Sequence, residues 1–196
     1  GSFNILLQNS AYAEINVPFT STGQLDKWFV NSDTLILGPQ TTVTTSPNPF
    51  STHGTPLTNT STGYVHSQAD FTIRSATTLI DNAGKMVLGS QSTLIGTDMG
   101  TPIVNTGNLT NEGTANFNRF GGYGIDNTGT FTNKGRFETG NSDKSIHNNG
   151  GTIENLGVVE IDSVFRDAVL QEGSGSSFTN TATGQINVDF VFGNGI

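Results

Sequence analysis

Five carboxylates crowd the last third of the sequence: Glu154, Glu160, Asp162, Asp167 and Glu172, with His147 a few residues upstream. Two carboxylates at a suitable separation can hydrolyse a glycosidic bond by acid–base catalysis. That makes this run the first place to look for chemistry. Some of these carboxylates would stack on one outer face near His147, but the spacing fixes no pair at the needed separation. Glu160 and Asp162 alternate along one stretch, as solvated residues on an outer strand face do. A solvated face, not an active site, is the expectation.

Gly121-Gly122-Tyr123-Gly124-Ile125-Asp126 matches the start of the calcium-binding nonapeptide of β-roll proteins. Those sites take ligands from two neighbouring copies. One copy is present, and Thr128 stands where an apolar residue belongs, so a glycine-rich turn is expected. His53, His66 and His147 fit no metal-ligand spacing. No nucleophile motif, phosphate loop or dinucleotide fingerprint occurs, and no cofactor is implied. Asn59-Thr60-Ser61 and Asn108-Leu109-Thr110 are formal glycosylation sequons, which a chain rich in Asn and Thr produces by chance. Thr130-Phe131-Thr132, Asn108-Leu109-Thr110 and Ser177-Phe178-Thr179 could stack into a flat threonine strip of the kind that binds ice. Lys85 and Glu154 would interrupt it.

The elements that would carry these residues come from a repeat. Apolar-x-Asn-x-Gly recurs as Ile80-Asp81-Asn82-Ala83-Gly84, Ile103-Val104-Asn105-Thr106-Gly107, Ile125-Asp126-Asn127-Thr128-Gly129 and Ile146-His147-Asn148-Asn149-Gly150. The copies stand 21 to 23 residues apart, the period of a solenoid rung. Leu57-Thr58-Asn59 starts an earlier copy whose glycine slips to Gly63. A second Asn-x-Gly lies inside each later copy, at Asn111-Glu112-Gly113, Asn133-Lys134-Gly135 and Asn155-Leu156-Gly157. Asn180-Thr181-Ala182-Thr183-Gly184 is a looser version. Asn and Gly tolerate positive φ, so each Asn-x-Gly predicts a sharp corner.

Between corners the polarity alternates. Ala69, Phe71 and Ile73 alternate with Asp70, Thr72 and Arg74. The same holds for Ala115 and Phe117, for Val159 and Ile161, and for Ile186, Val188 and Phe190. Period two means strands with one buried face. Strands this short cannot close a sandwich within one repeat, but each can pair with its counterpart one rung along. An all-β parallel solenoid follows, with strands about 4.8 Å apart along the axis. No sustained 3.6-residue apolar period occurs, so almost no helix is expected. The leucine-rich consensus is absent.

Stacking would set Asn59, Asn82, Asn105, Asn127 and Asn148 one above another. Each amide could then donate to one neighbour and accept from the other, an inward ladder. Asn would equally be present if the turn alone required it, and the two readings are compatible.

Composition narrows the function. Charged residues make up 12% of the 196, about half the usual share. The net charge of −8 comes with no Lys/Arg cluster, which disfavours nucleic acid and anionic membrane surfaces. No cysteine is present, so disulfides and thiolate chemistry are excluded. No membrane-spanning run or signal peptide is visible.

Residues 1–56 fit the repeat poorly and hold Trp28, Pro39, Pro47 and Pro49. They are expected to form an amino-terminal cap with one or two irregular rungs, Gly1-Ser2 resembling a tag scar. Residues 57–196 are the regular solenoid, with about six rungs over 57–190. Thr139-Gly140-Asn141-Ser142-Asp143-Lys144 and Gly173-Ser174-Gly175-Ser176 are expected as surface loops. The apolar Phe190-Val191-Phe192 suggests either a strand folding over the end or a solenoid cut from a longer one; the second is favoured. An open end would self-associate end to end.

The cadence from Ile103 to Ile161 resembles the degenerate repeats of large bacterial surface and secreted proteins. These are right-handed parallel β-helices of the filamentous-haemagglutinin and autotransporter-passenger type. The resemblance implies a non-enzymatic stalk, adhesin or matrix component outside the cell, with a glycan or cell-surface receptor as partner. It transfers no functional residue. The alternative is a carbohydrate-binding or carbohydrate-cleaving β-helix of the lyase or tailspike kind.

Overall fold

The structure is a computed structural model that describes residues 3–21, 25–45 and 54–193. His53, Pro47, Pro49, Gly1, Ser2 and residues 194–196 lie outside the described residues.

The strands come in triplets, one triplet per rung. The first rung is β1 (Phe3–Asn9), β2 (Ala13–Ile15) and β3 (Phe19–Ser21). The second is β4 (Leu25–Asn31), β5 (Thr34–Leu37) and β6 (Thr42–Thr45). The third is β7 (Thr55–Asn59), β8 (Tyr64–Ser67) and β9 (Asp70–Arg74), and the fourth β10 (Ile80–Asn82), β11 (Lys85–Leu88) and β12 (Thr93–Met99). The fifth is β13 (Ile103–Asn105), β14 (Asn108–Asn111) and β15 (Thr114–Phe120). The sixth is β16 (Tyr123–Asn127), β17 (Thr130–Asn133) and β18 (Arg136–Ser142). The seventh is β19 (Lys144–Asn149), β20 (Thr152–Asn155) and β21 (Val158–Val164), and the eighth β22 (Val169–Glu172), β23 (Ser177–Asn180) and β24 (Gln185–Val188).

Equivalent strands of successive rungs pair in parallel, which builds three 8-stranded sheets. The described residues form no helix. The chain is a right-handed parallel β-helix. Two of its rungs lie within residues 3–45, ahead of the recognisable repeat, and Trp28 and Phe29 are buried there.

Alternation places one apolar column inward on each sheet. On the first sheet Ile80, Ile103, Ile125 and Ile146 stack in register. On the second, Met86, Leu109, Phe131 and Ile153 do so. Aromatic rings meet edge-on in the core, Phe131 against Phe137 at 5.7 Å and Phe117 against Phe137 at 6.0 Å. Such pairs contribute about 0.5–1.5 kcal/mol beyond their burial.

The corners differ from the sequence expectation in three ways. First, apart from Gly150 at φ 79°, the glycines of Asn-x-Gly do not serve positive φ. Among the described residues the positive-φ glycines are Gly150, Gly173 and Gly175. Gly107, Gly129, Gly135 and Gly157 are needed because a Cβ on any of them would fall inside 3.0 Å of a carbonyl oxygen in the rung below. Second, each rung from the third to the seventh has a further corner that carries no Asn-x-Gly. There a single residue turns the chain in the left-handed region: Ser75, Asp98, Arg119, Asn141 and Ser163, with φ between 48° and 57°. Third, Thr139–Ser142 is strand, not loop. It runs through such a corner at Asn141, and Lys144 already opens β19. Gly173–Ser176 does lie between strands β22 and β23.

At the carboxyl end, Ile186 and Val188 pack against the core, but Phe190 does not point inward. It is 66% exposed. The strand alternation ends at Val188, and Val191 bridges Val164 in parallel. Residues 189–192 thus continue along the path of the rung below.

Candidate functional site

The feature that runs through seven of the eight rungs is a file of buried amides at the first corner. Asn9 Nδ2 donates to Asn31 Oδ1 at 2.8 Å, and Asn31 to Asn59 at 2.9 Å. Asn59 donates to Asn82, Asn82 to Asn105, Asn105 to Asn127 and Asn127 to Asn148, at 2.7 to 2.9 Å. Each Nδ2 also reaches backbone carbonyls, as Asn105 does those of Thr130 and Gly107. All six side-chain bonds point the same way along the axis, so their dipoles reinforce one another. Each contributes about 0.5–1.5 kcal/mol net, and leaving one buried partner unpaired costs about 1–3 kcal/mol.

Asn59, Asn82, Asn105, Asn127 and Asn148 therefore occupy one continuous ladder, and it extends two rungs further than the repeat suggested. Asn9 and Asn31 were hidden because neither is followed by x-Gly. The available signal was apolar-x-Asn at the end of an alternating stretch, as in Leu7-Gln8-Asn9 and Phe29-Val30-Asn31. A second ladder links Asn111, Asn133, Asn155 and Asn180 at the second corner, at 2.7 to 2.9 Å. Its four asparagines had signalled turns alone.

The carboxylate run does not converge. Glu154 faces out from the second sheet, in register with Thr132 and Thr179. Glu160 faces out from the third, where Arg136 bridges it to Glu138. Glu172 ends β22 on the first sheet and meets His147. Consecutive strands turn onto different faces, so closeness in sequence becomes separation around the axis. Asp167 lies between β21 and β22, where its carbonyl accepts from Ser145 N.

His147 is the most enclosed of these chemistry-bearing groups. It is 6% exposed, with Nδ1 2.8 Å from Asp126 Oδ1 and Nε2 3.2 Å from Glu172 Oε2. Tyr123 stacks on its ring at 4.3 Å, and Lys144 Nζ lies 4.9 Å from the Tyr123 centroid. Gly121 and Gly122 form the bend before β16, and Asp126 of the calcium-like motif is committed to His147. No group of three or more metal-ligating side chains occurs among the described residues.

The second sheet presents a polar outer face. Asn108, Thr130, Thr152 and Ser177 form one outward column, and Thr110, Thr132, Glu154 and Thr179 the next. Lys85 borders the first column, its ammonium over Tyr64, while Glu154 interrupts the second. His66 also lies on this sheet and contacts Gln68.

At the left-handed corners, Arg119 forms an exposed two-pronged ion pair with Asp98. Its hydrogen bonds hold the Asp98 carboxyl below the usual aspartate value, against a smaller opposing effect of burial.

Comparison with protein-family models, with curated proteins and with solved structures returns no match. The functional reading therefore rests on the geometry of this chain.

Proposed function

We infer that this chain is a non-enzymatic structural or adhesive module of a larger bacterial surface or secreted protein, working outside the cell as a rigid β-solenoid. The observation that carries the reading is the unbroken ladder from Asn9 to Asn148. Side-chain amides bonded along the axis join rungs independently of the sheets and resist bending and shear. The dispersal of the acidic run over three faces fits the same reading, since acid–base hydrolysis needs two carboxylates about one sugar. The low charge and the Asn, Thr and Gly bias support export.

A second reading, glycan binding, is favoured by the second sheet. The hydroxyls of Thr110, Thr130 and Thr132 make no side-chain hydrogen bond among the described residues and stand free to bond a flat polar ligand. A panel of polysaccharides separates the readings. Neither binding nor cleavage supports a spacer, binding alone supports the glycan-adhesive form, and depolymerisation overturns the non-enzymatic reading. Fractionation of the source cells tests the location.

End-to-end association belongs to the same proposal. Among the described residues, each sheet's last strand, β22, β23 or β24, is paired on one edge alone, a geometry that accepts a further strand from a second copy. Light scattering that rises with concentration, and falls in Val188→Lys, is the expected result.

A further inference from the structure

His147 is placed where three rungs meet. It sits on β19 of the seventh rung, Asp126 on β16 of the sixth and Glu172 on β22 of the eighth. Both ring nitrogens face carboxylate oxygens. Ionised carboxylates only accept hydrogen bonds, and a neutral imidazole has a single N–H. One of the two contacts is then a nitrogen lone pair facing a carboxylate. The imidazolium, with two N–H groups, donates to both.

The position matters because the first ladder stops one residue away. Asn148 is followed in register by Gln171, which is exposed, and Asn148 Nδ2 turns instead to the carbonyls of Gly151 and Ser177. The first strand of the eighth rung thus lacks the amide link that joins every earlier pair of rungs at this corner. The bond from His147 to Glu172 stands in its place.

We propose that His147 is a proton-dependent clamp that docks β22 onto the rungs below. In the imidazolium form it ties Asp126, and with it the sixth rung, to Glu172 of the eighth. Loss of the proton breaks one of the two bonds, and the link that yields is the longer and more exposed one, to Glu172. Besides the two carboxylates, Tyr123 from β16 stacks on the ring, and Lys144 on its own strand hydrogen-bonds the Tyr123 hydroxyl at 3.3 Å. The Lys144 ammonium is thus engaged by Tyr123 and leaves the pair of acids to the imidazole. Release would free the end of β22 and bare the edge of β19, making the docking of this strand sensitive to pH.

Amide hydrogen exchange in the intact chain tests this. Gly150 N donates to Glu172 O, Ile146 N to Ala168 O, and Thr128 N, as an internal reference, to Asn105 O. Histidine changes charge between about pH 5 and 8. Across that range, after correction for intrinsic exchange, protection of Gly150 and Ile146 relative to Thr128 is expected to fall at least about tenfold. That is the size of one hydrogen bond to a charged group. His147→Gln, which cannot titrate, abolishes the pH dependence, while His66→Gln leaves it intact. Equal pH dependence in His147→Gln, or none in the unaltered protein, overturns the clamp. Should His147→Gln fail to fold, nitrogen NMR of the unaltered ring decides. Two N–H groups where protection is highest support the proposal, and a singly protonated ring there refutes it.

Discussion

The first and second corners share a motif, yet they are built differently along the axis. At the first corner the amide file occupies seven consecutive rungs, from Asn9 to Asn148. At the second corner the same column reads Ile15, Leu37, Ser67 and Leu88 before it becomes Asn111, Asn133, Asn155 and Asn180. The first-corner ladder meets a local partner at Asn9, whose Oδ1 accepts from Ala11 N at 3.3 Å. A ladder that starts mid-stack rests on an apolar side chain. Asn111 Oδ1 lies above Leu88, buried and without a partner. The lesson is that polar ladders cost little in their interior and most of their penalty at an internal end.

The largest expected effect tests what the two corners have in common. Gly129→Ala and Gly135→Ala each drive a Cβ into the carbonyl of the glycine one rung below. Both should lose about 3 kcal/mol, the upper range for overpacking, as read from denaturant midpoints. A tolerated alanine at either corner would mean that inter-rung approach does not explain its glycine.

Next comes the interior of the longer ladder. Asn127→Ala leaves Asn148 Oδ1 without its amide donor and removes the side-chain acceptor of Asn105 Nδ2. A loss of about 1–3 kcal/mol is expected, whereas Asn118→Ala, on the outer face of β15, should change stability by less than about 0.5 kcal/mol. Equal midpoint shifts would remove the energetic case for the ladder.

Asn111→Leu sharpens the contrast. It moves the start of the second ladder up one rung, trading the orphaned oxygen of Asn111 for that of Asn133 and extending the apolar column above Leu88. The result should lie within about 1 kcal/mol of the unaltered protein, while Asn127→Leu should cost as much as Asn127→Ala. If the two leucine variants behave alike, position within the ladder is irrelevant.

The smallest effect belongs to the left-handed corner. The Arg119–Asp98 pair is exposed, so Asp98→Asn should cost less than about 1 kcal/mol. The sign follows from the lowered Asp98 value. The contribution is fully present above the ordinary aspartate value and disappears as the pH falls through the lowered one. Stability curves of the two proteins should therefore converge in acid and separate toward neutrality.

Much of this architecture was legible because it is written locally and then repeated. The inward columns follow from period-two alternation in Phe71-Thr72-Ile73 or Val159-Glu160-Ile161. The rung length follows from the spacing of Ile80, Ile103, Ile125 and Ile146. The left-handed corners were illegible because Ser75, Asp98, Arg119, Asn141 and Ser163 share a backbone conformation but no residue type. Phe190 was misassigned because alternation was carried past Val188, where the strand ends. Carboxylates beside His147 were expected from the acidic run, and Glu172 is one of them, but the pairing with Asp126 was not legible, since Asp126 and Glu172 stand 21 and 25 residues from His147 on either side.

The sequence by itself determined that this chain is an all-β solenoid, with its rung length, the inward face of most strands and the places where Asn-x-Gly turns it. Those properties depend on side-chain alternation and turn residues that act within a few positions of one another. The tertiary structure decided why the glycines are there, where the first ladder stops and the second begins, which faces receive the acidic residues and what encloses His147. Each of these depends on which residues lie one above another, about 4.8 Å apart along the axis, and stacking alone brings residues more than twenty positions apart into that contact.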